Sequence, residues 1–434
     1  EYLKRLLATS PRGDILIQVA YANSPGTLLR GLGGLLKTTQ RENPRFGVQL
    51  IEGDANDDAR AWVDAIDMGS RMAAVELRHA GGVLETRQTT VLEGSVTRMP
   101  WRPDGTYLVT GGAGGLGLAF VEELFARTPA AHVFLVGRSP LRGEAASRVA
   151  AWQASGRSVD YRQVDVARRD EVIALFRDIE GKRGVLHGVL HAAGVIRDSY
   201  LLRKTPEEYA QVMAPKLHGA FNLDVAIGTR PLDFFVLFSS VAGTDGNAGQ
   251  GDYAAANAAL DAFARQRARR VADGERHGQT LSIAWPWWSV GGMRIPDATA
   301  EELRSQGVAP LGTDDGIAAF YLALGSRAAA VAIAAPSTAT VAPPAPVVAF
   351  PQPSARTMDA PALAEALAQR LKHLLADVSG QPPARIDPVA PLERYGIDSM
   401  MVLQLNKRLG AVFERLSKTV LYEHATLRSL RDYL

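Results

Sequence analysis

Two kinds of apolar spacing alternate along most of this 434-residue chain. Short runs that are apolar almost throughout fall at 106–109, 132–136, 188–191, 233–238 and 280–285, and a more polar strand is expected at 160–164. Stretches with helical periodicity separate them. Runs without a polar alternate suit strands covered on both faces, so 100–335 is predicted to be an α/β unit with a doubly wound parallel sheet. Residues 1–99 repeat the rhythm less cleanly, with strands expected at 15–19, 46–51, 73–77 and 83–87 and helices over 25–40 and 57–68. This part reads as a degenerate, nucleotide-binding-like half that packs against its neighbour and binds no cofactor. Further strands of that half are expected to precede Glu1. The alternation ends at Pro336, where a proline- and alanine-rich stretch over 336–358 reads as a linker. Beyond it, helical periodicity at 360–375 and 400–413, followed by short segments around Val420 and Leu421 and over 427–434, predicts a small helical bundle over 359–434.

Composition changes this picture little, except by exclusion. Hydrophobic residues at 47% and charged residues at 22% describe a protein with ample core. The 48 basic and 46 acidic residues leave a net charge of +2, which offers no electrostatic argument for nucleic acid or a membrane surface. Cysteine is absent, so disulfides, thiolate nucleophiles and cysteine-bound metal are excluded. The chain starts at Glu1 with no signal peptide or bilayer-length apolar run, and reads as a piece of a larger cytoplasmic polypeptide.

The candidate chemistry begins at Thr110-Gly111-Gly112-Ala113-Gly114-Gly115-Leu116-Gly117, placed between a strand and a helix. Gly112, Gly114 and Gly117 fit G-x-G-x-x-G, the turn that lets a pyrophosphate approach a helix N-terminus. The next strand ends in Gly137-Arg138-Ser139, at the position that reads the adenosine ribose. An acidic residue there would accept the 2′-hydroxyl of NAD, whereas Arg138 argues for the 2′-phosphate of NADP.

Downstream stand Lys216, Ser240, Tyr253 and Asn257. With the glycine turn they resemble the short-chain dehydrogenase/reductase family, and more narrowly the ketoreductase domains of modular polyketide synthases. Tyr253-x-x-x-Asn257 with a separate Lys216 is the order of those ketoreductases, while the generic family carries Tyr-x-x-x-Lys. The resemblance implies that Tyr253 donates a proton to the ketone oxygen, Ser240 supplies a second hydrogen bond, and Asn257 holds Lys216 or a relay water. A tyrosine titrates at about 10. An ammonium within about 4 Å is expected to favour its phenolate by a few kcal/mol at an effective dielectric near 20. The resemblance extends to a cofactor-lining turn, His191-Ala192-Ala193-Gly194, and to adenine contacts at Asp165 and Val166. It also places Trp285-Pro286-Trp287 at the nicotinamide end, where relatives show Trp-Gly-Pro-Trp, and a substrate-side lid over 291–308.

The bundle has its own signature. Tyr395-Gly396-Ile397-Asp398-Ser399, followed by an apolar helix, resembles the attachment motif of acyl carrier proteins. Ser399 would carry 4′-phosphopantetheine, with Asp398 capping the helix. Taken together, the likeness implies a ketoreductase and carrier pair that reduces a carrier-bound β-ketoacyl thioester with NADPH. Its partners would be a ketosynthase, an acyltransferase and a phosphopantetheinyl transferase. The alternatives are a silent ketoreductase serving as scaffold and a free-standing NADP alcohol dehydrogenase. For product hand, relatives giving the D-hydroxyl usually carry Leu-Asp-Asp after the His-Ala-Ala-Gly turn, and those giving the L-hydroxyl a tryptophan eight residues before the tyrosine. Here Ile196-Arg197-Asp198 keeps the last Asp, and Asp245 replaces the tryptophan, so a D-hydroxyl is expected.

Overall fold

The computed structural model describes residues 1–9, 11, 13–23, 28–92, 99–290, 300–301, 304, 308–334, 360–397, 399–413 and 415–434. The linker over 336–358, the lid segment 291–299 and Asp398 lie outside the described residues, as does much of 302–307.

The N-terminal half holds a four-stranded sheet, β1 (Ile15–Asn23), β2 (Phe46–Asp54), β3 (Glu76–Ala80) and β4 (Val83–Thr86), in that order. β1, β2 and β3 are parallel; β4 returns antiparallel through Gly81 and Gly82, both with positive φ. β3 starts three residues later than the pattern predicts, and a helix Tyr2–Ala8 that the pattern did not indicate packs Leu7 into this core.

The second sheet has seven parallel strands in the order β11-β10-β9-β8-β5-β6-β7. They are β5 (Thr106–Thr110), β6 (His132–Gly137), β7 (Ser158–Gln163), β8 (Gly188–His191), β9 (Phe234–Ser240), β10 (Gln279–Trp285) and β11 (Ala330–Ala332). Successive strand residues face opposite sides, and both sides are covered. Leu135 and Val236 therefore join one buried cluster with Phe120, Trp285 and Phe320, while Phe134 and Phe235 join another with Phe176, Leu223 and Phe263. Chain order reverses between β5 and β8, which pair Thr110 with His191 at their carboxyl ends. Such a switch point opens a crevice, and in open α/β sheets that crevice takes the ligand.

The two halves meet through glycines. Helix Leu32–Glu42 lies against helix Gly251–Ala272 so closely that a Cβ on Gly34 would come within 2.3 Å of the Ala254 carbonyl oxygen. A Cβ on Gly31 would come within 2.8 Å of the Ala259 Cβ.

The C-terminal unit is a helical bundle of Ala360–Ser379, Ser399–Gly410, Val420–Glu423 and Leu427–Tyr433, with short 3₁₀ turns between the first two helices. Leu371 with Leu375, and Val402 with Leu405 and Leu409, form helical stripes that bury Ile386, Leu392, Val420, Leu427 and Leu430 between them. No described helix is long and apolar enough to cross a membrane.

Candidate active site

The glycine turn follows β5 and leads into helix Gly115–Arg127, capped by Gly114 without a side-chain bond. Gly111 takes φ +65°, the left-handed region that glycine alone adopts freely. Its Cβ would sit 2.6 Å from the Ala192 carbonyl oxygen. Gly112 and Gly117 have ordinary φ but equally little room. A Cβ would meet the Leu135 side chain at 2.6 Å from the former and the Gly111 oxygen at 2.7 Å from the latter. The conformational demand thus falls on Gly111, one residue before the G-x-G-x-x-G register, and Gly112 and Gly117 answer to packing. Gly114 is less crowded, its nearest contact being 3.1 Å. Leu116 packs against the first core cluster, leaving the backbone of the helix's first turn to face the crevice.

Beyond β6 and β7 a cavity of about 700 Å³ is lined by Arg138, Gln163, Val164, Asp165 and Arg168, among others. Arg138 is exposed and makes no ion pair among the described residues. Arg168 pairs with Asp170 at 3.4 Å and Glu171 at 3.0 Å. The Asp165 carboxylate accepts from the Ala167 amide at 3.0 Å, and its own amide donates to Glu171 at 2.7 Å. The Val166 side chain is buried in the second core cluster, so only its backbone remains for an adenine. Ser139 takes a hydrogen bond from Tyr161 on its carbonyl oxygen. A glycine cradle with no room for a Cβ at Gly111, Gly112 or Gly117, a helix N-terminus and a cavity lined by Arg138 fit a dinucleotide.

The His191 ring lies fully buried at the switch point. Its Nδ1 is 2.7 Å from the Thr110 hydroxyl and its Nε2 is 2.9 Å from the Lys216 carbonyl oxygen. A carbonyl can only accept, so Nε2 carries the proton and Nδ1 accepts from Thr110. Burial lowers the pKa to about 4 and keeps the ring neutral. Both ring nitrogens are thereby engaged within the protein, and it is the turn Ala192-Ala193-Gly194, not the imidazole, that faces the crevice.

Lys216 lies in a π-helical turn, Ala214–His218. Its Nζ donates to the Phe238 carbonyl oxygen at 2.9 Å and stands 5.3 Å from the centroid of the Tyr253 ring. Gly194 makes room for it: a Cβ there would come within 3.0 Å of Lys216 Cε. Burial lowers this ammonium's pKa to about 8.

Ser240 ends β9 and caps helix Val241–Asp245, its Oγ accepting from the Ala242 amide at 3.2 Å. Tyr253 lies in the first turn of helix Gly251–Ala272, buried, with its hydroxyl hydrogen-bonded to the Ser240 side chain. Asn257 follows one turn later on the same face. Its Nδ2 donates to the Tyr253 carbonyl oxygen at 2.8 Å, while its Oδ1 is buried and accepts no hydrogen bond among the described residues.

The electrostatics of the pair depart from expectation. Burial raises the Tyr253 pKa above that of a free phenol, hydrogen bonds with the Ser240 and Asn257 side chains oppose the rise only in part, and the Asp198 carboxylate adds to it. Lys216 is bound to the Phe238 carbonyl and does not offset this, so the phenol stays protonated.

Asp198 approaches this site through Gln250, whose Nε2 donates to Asp198 Oδ1 at 3.0 Å. Gln250 was not singled out in the sequence, nor were Lys204 and Asp252, which form a buried ion pair of 2.9 Å immediately before Tyr253. Only their closeness to Tyr253 could have drawn attention to Gln250 and Asp252. Asp245 lies elsewhere: it is exposed, and its carbonyl accepts from Arg41 of the N-terminal half at 2.7 Å. In the bundle, Ser399 is the first residue of helix Ser399–Gly410.

Comparisons with known proteins bear on both units. The KR domain family matches residues 105–290, and the phosphopantetheine attachment site family matches residues 369–434. Polyketide synthase PksL of Bacillus subtilis is 37% identical over 456 residues, covering all of this chain and 10% of its own length. Polyketide synthase ThaG of Burkholderia thailandensis is 37% identical over 426 residues, covering 94% of this chain and 7% of its own length. The chain therefore spans a tenth or less of these curated relatives. Among solved structures, a ketoreductase domain from the bacillaene assembly line superposes with TM-score 0.70 at 35% identity, over 76% of this chain and 80% of that one. The first ketoreductase of the tylosin polyketide synthase gives 0.61 at 30%, over 73% and 69%.

Proposed function

The chain belongs to the ketoreductases of polyketide synthases, with a phosphopantetheine-attachment domain after the reductase, and on that footing we propose that it reduces a carrier-bound β-ketoacyl thioester to the β-hydroxyacyl thioester. The observation that carries the proposal is the convergence of Ser240, Tyr253, Lys216 and Asn257 at the carboxyl edge of the sheet, beside the glycine cradle.

The cradle Thr110 to Gly117, the turn His191 to Gly194, and Asp165 would hold a nicotinamide dinucleotide, with Arg138 selecting NADPH. When bound, that cofactor supplies hydride to the ketone carbon. The protein's residues handle the oxygen. Ser240 and Tyr253 already share a hydrogen bond, so a carbonyl oxygen received between them would meet two donors aimed at the place where negative charge develops. Tyr253 remains protonated until that charge appears and then gives up its proton. Lys216 steadies the resulting phenolate, and Asn257 Oδ1 is free to accept from a water or an ammonium that returns the proton.

Ser399 would carry the phosphopantetheine arm that presents the substrate. The domain limits that follow are 1–99 and 100–335 for the two parts of the reductase, 336–358 for the tether and 359–434 for the carrier. Asp198, held by Gln250 beside Tyr253, favours the D-hydroxyl product. Other synthase domains would load and extend the chain. The decisive experiment is mass spectrometry of the carrier charged with a β-ketoacyl group, before and after adding NADPH. A gain of two hydrogens is expected, and an unchanged mass would refute the proposal.

A further inference from the structure

The carrier touches the reductase at one edge, and it is not an edge of the dinucleotide-binding sheet. Residues 417–419, between carrier helices Ser399–Gly410 and Val420–Glu423, are tied into their own domain. Asn406 Nδ2 donates to the Lys418 carbonyl oxygen at 2.6 Å, and the buried Ser417 and Thr419 hydroxyls bond to each other at 2.8 Å. Arg415, in a left-handed backbone conformation of φ +62° that side chains rarely adopt, reaches the N-terminal half. Its guanidinium pairs with both Asp14 oxygens, at 2.7 and 3.0 Å, and donates to the Pro44 carbonyl oxygen at 2.9 Å. The Lys418 amide donates to the Glu42 carbonyl oxygen at 2.8 Å. Tyr422 sits 6.1 Å from Tyr200, ring to ring, with the Arg203 guanidinium 5.1 Å from its centroid.

What lies behind these contacts gives them meaning. The Glu42 side chain is fully buried, and its two oxygens accept from the Leu201 amide at 2.8 Å and the Gly249 amide at 3.0 Å. Leu201 belongs to the loop that carries Asp198 and Lys204, and Gly249 precedes Gln250 and Tyr253. Lys204 in turn pairs with Asp252. One residue therefore contacts the carrier through its backbone and holds both loops at the mouth of the active site through its side chain. The attachment serine lies close by. Ser399 is seven residues before Asn406 on one helix, a rise of about 10 Å.

We propose that the N-terminal half, together with the Tyr200–Arg203 loop of the catalytic half, is the docking platform for the carrier domain. Asp14, the Glu42–Pro44 helix end and the Tyr200–Arg203 loop recognise Arg415, Lys418 and Tyr422. The partner is this chain's own carrier. The inference rests on the ketoreductase reading, and the test separates the two.

The full chain is compared on an acetoacetyl group carried on Ser399 and on a diffusible acetoacetyl thioester. Arg415→Glu should slow single-turnover reduction of the carrier-bound group about three- to tenfold, the effect of losing a bidentate pair at a partly exposed interface. The diffusible substrate should be unaffected. Adding Asp14→Arg to Arg415→Glu should restore most of the loss. In parallel, R415K treated with a water-soluble carbodiimide should give a cross-linked peptide joining Asp14 to position 415, absent when Asp14→Asn is added. No such cross-link, an unchanged rate on the carrier-bound group, or an equal loss on both substrates would each overturn the proposal. Should the unmodified chain reduce neither substrate, the ketoreductase reading fails, and the cross-link still decides the docking.

Discussion

Lys216 and Tyr253 face each other without a direct bond: the ammonium stands 5.3 Å from the ring centroid and donates to the Phe238 carbonyl oxygen. The lysine is held by the end of the same strand that presents Ser240. Its charge is thus available to stabilise a phenolate once one forms, without creating one in the resting site.

This arrangement predicts a pH limb. Burial brings the Lys216 pKa to about 8, so its positive charge is present below that pH and is lost as pH rises through it. Reduction of a diffusible thioester at saturating NADPH should hold steady below about pH 8 and fall above it with the loss of one proton. Lys216→Arg, which keeps its charge at all accessible pH, should move the limb upward. A limb of the same midpoint in that variant would assign it to another group.

Tyr253→Phe removes the proposed proton donor and leaves the ring. Turnover should drop by about 10²- to 10⁴-fold, while NADPH binding followed by fluorescence stays close to that of the unmodified chain. Ser240→Ala should cost about 10²-fold or more by removing one of two donors at the developing oxyanion. Weakened cofactor binding in either variant would place these residues outside the chemistry.

Cofactor choice is expected to rest on Arg138, which is exposed beside the 700 Å³ cavity. Arg138→Asp should weaken NADPH binding and narrow or reverse its advantage over NADH, as titration of both cofactors would reveal. Gly111→Ala should impair both equally, because it forces a Cβ against the Ala192 carbonyl.

Product hand should follow the Asp198–Gln250 bond. Chiral chromatography of the alcohol from an unbranched β-ketoacyl thioester should give mainly the D-hydroxyl. Gln250→Ala should erode that selectivity by releasing Asp198. Predominantly L product from the unmodified chain would reverse the assignment.

The apolar runs made most of the parallel sheet legible because β5, β6, β8, β9 and β10 are buried along nearly their whole length, leaving no polar alternation to confuse; the edge strand β7, with Asp160, Arg162 and Gln163, is only partly buried and starts two residues before its expected place. The three-residue β11 is too short to leave such a signal, and Glu76 and Arg78 break the apolar pattern within β3, so its start at Glu76 was not legible. At the site, residue types and order were enough to single out Ser240, Tyr253, Lys216 and Asn257. Which atoms meet was not legible. The choice of Phe238 over Tyr253 as the partner of Lys216 depends on a π-helical turn that no spacing rule indicates. Gln250 and Glu42 act through contacts between segments 52 and more than 150 residues apart, which periodicity cannot reveal.

The glycine contacts of Gly31 and Gly34 bear on how such enzymes can be recombined. They press the N-terminal half onto the helix that bears Tyr253, with no room for even a methyl group between Gly34 and Ala254. A chimera joined near residue 99, taking its front half from one assembly line and its catalytic half from another, would have to match two helix surfaces atom for atom. Transplants that move the two halves together as a single cassette avoid that seam.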